Sequence, residues 1–197
     1  MSARTPKQPE KTIAPLRTIP HQIFRDNRPD QVELEQRQRM PVVALLENIR
    51  SMFNVGSMFR TADGVWLEEM VLCGYTAIPP RHEIAKTALG AEYSVPWRNA
   101  PRGVEVIQSL QRRGYTAVAL EHTTRSHSHV QLEFPFPMVF VVGNEGVGIQ
   151  DELVAACDLA VEIPQYGMKS SLNVAVAFGI MAYELRRQWD LRQKPDL

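Results

Sequence analysis

The stretch Ile163-Pro-Gln-Tyr-Gly167-Met-Lys-Ser170-Ser171-Leu172-Asn173-Val174 joins two unlike segments. Before it, Leu159–Ile163 reads as a short strand. After it, an apolar-rich run reads as a long helix from about Ser171 to Trp189. Ser170 or Ser171 can cap that helix by accepting a hydrogen bond from a free backbone N–H. Capping by serine leaves Asn173 inside the first turn, where asparagine is a poor helix former, so Asn173 calls for a second explanation. Along the helix, Leu172, Val176, Ile180 and Tyr183 form one stripe that can face a sheet. Phe178, Met181 and Leu185 then need cover elsewhere, which predicts a homodimer.

Further back along the chain, strands and helices alternate. A short polar helix is expected around 29–40. The run Pro41–Leu46 reads as a strand buried on both faces, and Asn54–Val65 has helical spacing, with Val55, Phe59, Ala62 and Trp66 on one side. Glu69–Cys73 reads as a strand, Ile84–Leu89 as a short helix within an otherwise irregular 79–102, and Gly103–Arg113 as a helix. Strands over Thr116–Glu121 and Met138–Val142 follow, then a helix near Ile149–Ala156. This alternation predicts an α/β fold, a mostly parallel sheet flanked by helices. Ligands of such sheets bind beyond the carboxyl ends of the strands. The segments of interest are therefore 47–54, 74–82, 121–129, 143–149 and 164–171.

Two of these carry unusual chemistry beside the opening stretch. Glu47-Asn-Ile-Arg50-Ser-Met-Phe-Asn54-Val-Gly56-Ser-Met-Phe-Arg60-Thr61 delivers two asparagines and two arginines to a helix start, where backbone N–H groups favour anions. Gly56 weakens that helix, which implies close packing against it. Val141-Val-Gly143-Asn-Glu145-Gly146-Val-Gly148-Ile149 places three glycines directly after a buried strand, so that backbone can touch a flat ligand. The order is G-x-x-G-x-G, not G-x-G-x-x-G, and no acid stands at the usual distance for a ribose contact. Both points argue against a nicotinamide cofactor.

The bulk properties set bounds. At 197 residues, 44% hydrophobic and 22% charged, the chain suits one well-packed domain. Formal net charge is zero, so any attraction to nucleic acid has to be local. Residues 1–40 hold Arg4, Lys7, Lys11, Arg17, Arg25, Arg28, Arg37 and Arg39 against fewer acids, with four prolines before residue 21. They read as a basic, partly disordered arm with a short helix, and 41–197 as the folded domain. Arg186, Arg187, Arg192 and Lys194 add charge near the C-terminus, where a helix dipole alone would favour them. Cys73 and Cys157 show no metal or disulfide spacing, which fits a reducing cytoplasm. No apolar run is long enough to span a membrane.

Three segments, in order, resemble the signature motifs of the SpoU/TrmH branch of the SPOUT methyltransferases. They are Asn54-x-Gly56-x-x-x-Arg60-Thr61, Val142-Gly143-Asn-Glu145-Gly-x-Gly148, and Ile163-Pro164-x-x-Gly167-x-x-Ser-Ser171-Leu172-Asn173-Val174. The resemblance covers about residues 41–189, and the third motif is the most specific. It implies a deep C-terminal trefoil knot, a rare exception to unknotted chains. It also implies homodimers whose active sites draw on both subunits, and S-adenosylmethionine bound without a metal. By position, Gly143, Ile163, Leu172, Gly148 and Glu121 are the expected cofactor contacts. The expected catalytic set is Arg60, Asn54, Ser171, Asn173 and Glu145.

Methyl transfer from a sulfonium to RNA needs orientation and an oxygen that loses its proton. The family treats the arginine matching Arg60 as catalytic, sometimes as the base. A guanidinium with a pKa above about 12 is a poor base. The preferred reading is that Arg60 grips a phosphate and lowers the hydroxyl's proton affinity, while Asn54, Ser171 and Asn173 orient it. Glu145 holds Arg60 or the substrate, or lies idle on the surface. Arg50, Lys86, Arg125 and Lys169 are the candidate RNA contacts, with Trp97 either a stacking platform or core. A zinc site from His122, His127 and His129 is a lesser reading. The resulting expectation is 2′-O-ribose methylation, with transfer RNA favoured over ribosomal RNA. The competing readings are a base-nitrogen methyltransferase, a non-catalytic knotted RNA-binding module and another nucleotide-dependent α/β enzyme.

Overall fold

The computed structural model describes residues 16–20, 22–23 and 29–193. The basic residues Arg4, Lys7, Lys11, Arg25, Arg28 and Lys194, and with them most of the expected disorder of the arm, lie outside the described residues. The chain divides at Gln38/Arg39 into two units. In the first, α1 (Gln31–Gln36) begins in a capping box: Glu33 N–H donates to Asp30, and Asp30 N–H donates to the Glu33 carboxylate.

The second unit is built on a seven-stranded sheet. Its strands are β1 (Met40–Glu47), β2 (Leu67–Cys73), β3 (Trp97–Ala100), β4 (Thr116–Leu120), β5 (His127–Ser128), β6 (Met138–Val142) and β7 (Leu159–Glu162). They lie in the order β3-β2-β1-β6-β4-β7-β5, and every neighbouring pair is parallel. From β1 the chain moves outward to β2 and β3, then crosses to β4 on the far side of β6. The direction of winding reverses between β1 and β6, so a crevice opens beyond their carboxyl ends.

The helices are α2 (Met52–Gly64), α3 (His82–Ala88), α4 (Ala91–Ser94), α5 (Gly103–Arg112), α6 (Asp151–Ala156) and α7 (Val174–Gln193). Alternate residues of β1 serve opposite layers, as strand pleating requires. Val42, Ala44 and Leu46 join Phe59 of α2 and Phe178 of α7, whereas Val43 and Leu45 join Ile107 of α5 and Leu153 of α6. Both layers are apolar, which accounts for the uninterrupted hydrophobic run of β1.

Several expectations need correction. The stripe of α7 that faces the sheet is Phe178, Met181, Ala182 and Leu185, all fully buried. Val176, Ile180 and Tyr183 stay exposed, the reverse of the expected assignment. Both stripes have helical spacing, and the one that packs brings the Phe178 ring to 5.1 Å from that of Phe140. Neither serine caps α7. Asn173 does so, its side-chain oxygen accepting from the N–H groups of Ala175 (2.9 Å) and Val176 (3.4 Å). Trp66 is not part of α2: it follows the helix with a positive φ of 56°. The short elements β3, β5 and α4 lack the apolar periodicity that reveals the others. Among the described residues, the cations near the C-terminus are occupied within the chain. Arg186 bonds Asp190 and the Val65 carbonyl, Arg187 bonds Glu184, and Arg192 bonds the Phe134 carbonyl. Arg39 bonds the Leu67 and Ser94 carbonyls and stacks on Trp66.

Gly56 is where α2 meets α3. A Cβ there would overlap the Ile84 carbonyl and the Thr87 hydroxyl. Gly56→Ala should therefore force the helices apart and destabilise the protein by about 1–3 kcal/mol. Chemical denaturation with an unchanged m-value is the check, and unaltered stability would refute the packing argument.

Candidate functional site

Three segments far apart in sequence converge on one set of hydrogen bonds at the crevice. Asn173, capping α7, donates from Nδ2 to Asn54 Oδ1 (3.2 Å). Asn54 Nδ2 donates to Glu145 Oε1 (2.8 Å). The Glu145 carboxylate also accepts the N–H groups of Arg50 (2.8 Å) and Ser51 (3.1 Å) at the start of α2. Ser51 Oγ in turn caps that helix, accepting from Asn54 N–H at 3.3 Å. Glu145 thus neutralises a helix N-terminus and does not hold Arg60.

Partial burial pushes the Glu145 carboxyl upward, but the hydrogen bonds from Arg50, Asn54 and Ser51 outweigh it and hold the group below the ordinary carboxylate range. A depressed pKa gives stability that is present above the unfolded value, about 4.3, and is lost as pH falls through the folded value. Glu145→Gln should lower Tm at neutral pH and flatten its acid-side decline. Melting curves between about pH 3 and 7 check this, and a variant whose decline parallels the parent's would contradict it.

Beside this relay lies a cavity of about 880 Å³, floored by the loop after β6 and walled by the segments after β4 and β7. Glu121, Gly143, Glu145, Gly148, Ile163, Ser171 and Leu172 all line it. The glycines are required by space: a Cβ on Gly143 would overlap the Gly148 and Ile149 backbone, and one on Gly148 (φ +73°) would meet the Glu121 carboxylate. Glu121 accepts the N–H groups of Ile149 (3.1 Å) and His122 (2.8 Å), which ties the β4 exit to the glycine loop.

Arg60 is not among the residues that line this cavity. It is exposed on α2 and faces a separate hollow of about 430 Å³ with Ser57, Thr61, Lys86, Thr87 and Tyr183. Among the described residues neither Arg60 nor Lys86 has an ion-pair partner, so the hollow offers two free cations to an anion. Arg50 engages Glu145 through its backbone and exposes its side chain. Arg125, in the turn after β4, and Lys169, in the loop before α7, are exposed and outside both depressions. Among the described residues no group of histidine, cysteine, aspartate and glutamate side chains is arranged to hold a metal ion.

Sequence reasoning passed over Asn144 and Tyr75. Asn144 is buried, donates to the Asn48 carbonyl (2.9 Å) and the Tyr75 hydroxyl (2.7 Å), and accepts from Gly146 and Val147 N–H. It shapes the glycine loop and ties it to the exits of β1 and β2. A polar amide between Gly143 and Glu145 was the available signal. Glu162 also lines the cavity and bonds Ser126 and His122, which hold its carboxyl below the usual range.

Residues 41–183 match the model of the SpoU rRNA methylase family. The chain belongs to that family. The SpoU match includes all three motif segments and ends at Tyr183, before the paired cations of late α7. A tRNA (guanosine(18)-2′-O)-methyltransferase of Aquifex aeolicus is 32% identical over 156 residues, 79% of this chain and 72% of that relative. A 23S rRNA (guanosine(2553)-2′-O)-methyltransferase of Bacillus subtilis is 34% identical over 146 residues, 73% of this chain and 57% of that protein. Among solved structures, the A. aeolicus TrmH/SpoU tRNA modifying enzyme matches with a TM-score of 0.74 at 29% identity, covering 81% of this chain and 80% of that one. An AdoMet-bound rRNA methyltransferase from Sinorhizobium meliloti matches with a TM-score of 0.69 at 31% identity, covering 76% and 57%. The SpoU-family chain spans about three-fifths of the length of several curated relatives that it matches.

Proposed function

We propose that this protein is an S-adenosylmethionine-dependent RNA methyltransferase acting on a ribose 2′-hydroxyl of transfer or ribosomal RNA, in the cytoplasm. One observation carries the reading: the glycine-floored cavity abuts the Asn54–Asn173 relay, and free cations stand nearby on α2 (Arg60) and α3 (Lys86). The cavity suits the cofactor, having room for a nucleoside, backbone exposed by Gly143 and Gly148, and carboxylates at Glu121 and Glu162 to face a cation. Bound there, S-adenosylmethionine supplies an activated methyl group.

The protein's part is positioning. Gly143, Gly148, Ile163 and Leu172 hold the cofactor, and Glu121 keeps the loop against it. Arg60 and Lys86 grip an RNA phosphate, which draws electron density from the neighbouring hydroxyl and eases loss of its proton. Asn54 and Asn173 tie the start of α2, which carries Arg60, to the start of α7, and Ser171 faces the ribose.

The proposal includes a homodimer and a C-terminal trefoil knot, on the strength of the family relationship. The exposed Val176, Ile180 and Tyr183 of α7 favour the dimer, since an apolar stripe in water is unfavourable. A second copy would bring one subunit's Arg60 to the other's cavity, which this chain alone does not do. Light scattering should give twice the chain mass, and a monomer at micromolar concentration would contradict the dimer. The activity is tested by nucleoside mass spectrometry of RNA from a deletion strain. One 2′-O-methyl signal should vanish and return on complementation, and an unchanged nucleoside profile argues against the reading.

A further inference from the structure

A third depression lies on the far side of α3 from Arg60. It encloses about 570 Å³ and is lined by Pro79, Pro80, Arg81, Tyr93 and Trp97, with Glu92 among its walls. Its composition is unusual. Trp97 is only partly buried, held edge-on against Phe59 with ring centres 6.4 Å apart, so its ring is a fixed wall. Tyr93 is 85% exposed and projects at the opening. Neither the catalytic proposal nor the core accounts for an exposed tyrosine facing a pocket.

Glu92 is 7% exposed. Its one hydrogen bond among the described residues is from Gly90 N–H to Oε2, at 3.1 Å; Oε1 has none, and no cation pairs with the carboxylate. Oε1 is not cut off from solvent, so a donor entering the hollow can reach it. The hollow therefore presents aromatic and proline surfaces around a carboxylate, with Arg81 and His82 at its edge. Single-stranded RNA bases bind by stacking on aromatic rings and by hydrogen bonds to their edges. Guanine alone among the four bases offers two adjacent donors, N1–H and the 2-amino group, on the edge that a carboxylate accepts. Helix α3 is about 10–12 Å across, so a base here and a phosphate at Arg60 and Lys86 are joined by a short stretch of RNA.

We propose that this hollow is a guanine pocket that holds an unpaired nucleotide of the RNA other than the one methylated. The proposal rests on the RNA methyltransferase reading above. Trp97 and Tyr93 supply the stacking surface, Glu92 reads the donor edge, and Arg81 meets the backbone.

The chain has three tryptophans, and ¹⁵N–¹H spectra resolve their indoles. Trp97→Phe identifies the Trp97 signal. GMP should shift it while Trp66 and Trp189 stay fixed, with half-saturation roughly tenfold below that of AMP, CMP or UMP. Glu92→Gln should erase the guanine preference. Should that variant not fold, Tyr93→Ala, at an exposed position, should weaken GMP binding roughly tenfold. Calorimetry with S-adenosylhomocysteine on the same samples reports the cofactor cavity separately and should be unchanged in both variants. Equal shifts by all four nucleotides, a fixed Trp97 signal at millimolar GMP, or a guanine preference surviving Glu92→Gln would each overturn the pocket. Absence of S-adenosylhomocysteine binding beside a selective Trp97 response would overturn the methyltransferase reading instead.

Discussion

Arg60→Ala should abolish methyl transfer to RNA while leaving S-adenosylmethionine affinity unchanged. The two functions separate because the residues occupy different surfaces. Arg60 stands on α2 in the hollow shared with Lys86, and the glycine-floored cavity draws on the segments after β4, β6 and β7. Arg60 is exposed and has no ion-pair partner among the described residues, so its removal costs the fold little. Its proposed work is to orient a phosphate and assist deprotonation, and losing such a group costs roughly two to four powers of ten in rate. Lysine at this position should restore little, because a point charge does not reproduce a planar fork on a phosphate. Single-turnover transfer of labelled methyl, with calorimetry of the cofactor, measures both quantities. Near-normal turnover by Arg60→Ala would remove Arg60 from the reaction even with the cofactor site intact.

Gly143→Ala should act in the opposite sense and damage cofactor binding first. The added Cβ would meet the backbone of Gly148 and Ile149, which cannot swing aside as a flexible side chain can. The 144–148 turn, closed by paired bonds between Asn144 and Gly148, must shift into the cavity or open. Strain of this kind costs about 1–3 kcal/mol, which as lost affinity amounts to up to roughly a hundredfold. Leu172→Arg should also weaken binding, by placing a cation where the cofactor carries its own. If Gly143→Ala binds S-adenosylhomocysteine as tightly as the parent, the loop is not the cofactor's floor.

What could be read from the sequence follows the strength of local patterning. The runs at β1 and β6 are apolar on both faces, so their strands and the α/β alternation were plain. The three motif segments stood out because each follows a strand with glycines and polar side chains that hydrophobic patterning does not require. Other features depended on packing. Helix α7 carries two apolar stripes at helical spacing, and only the packing of the folded chain, Phe178 against Phe140 among it, shows which turns inward. Glu145 is an acid in a loop until α2 brings the Arg50 and Ser51 N–H groups to it. Tyr75 and Asn144 are 69 residues apart and acquire meaning only where the exits of β2 and β6 meet.

The Asn173–Asn54–Glu145 relay has a bearing on how the protein ages. Every bond in it points one way, from the α7 N–H groups through two primary amides to a carboxylate. Asparagine side chains hydrolyse slowly to aspartate, which makes them thermolabile. At Asn54 that change replaces the donor facing Glu145 with a second anion, and at Asn173 it removes the donor that reaches Asn54. Deamidation at either position would break a link in the chain. Stored or heated samples should therefore lose activity in step with deamidation at these two residues, well before the sheet beneath them melts.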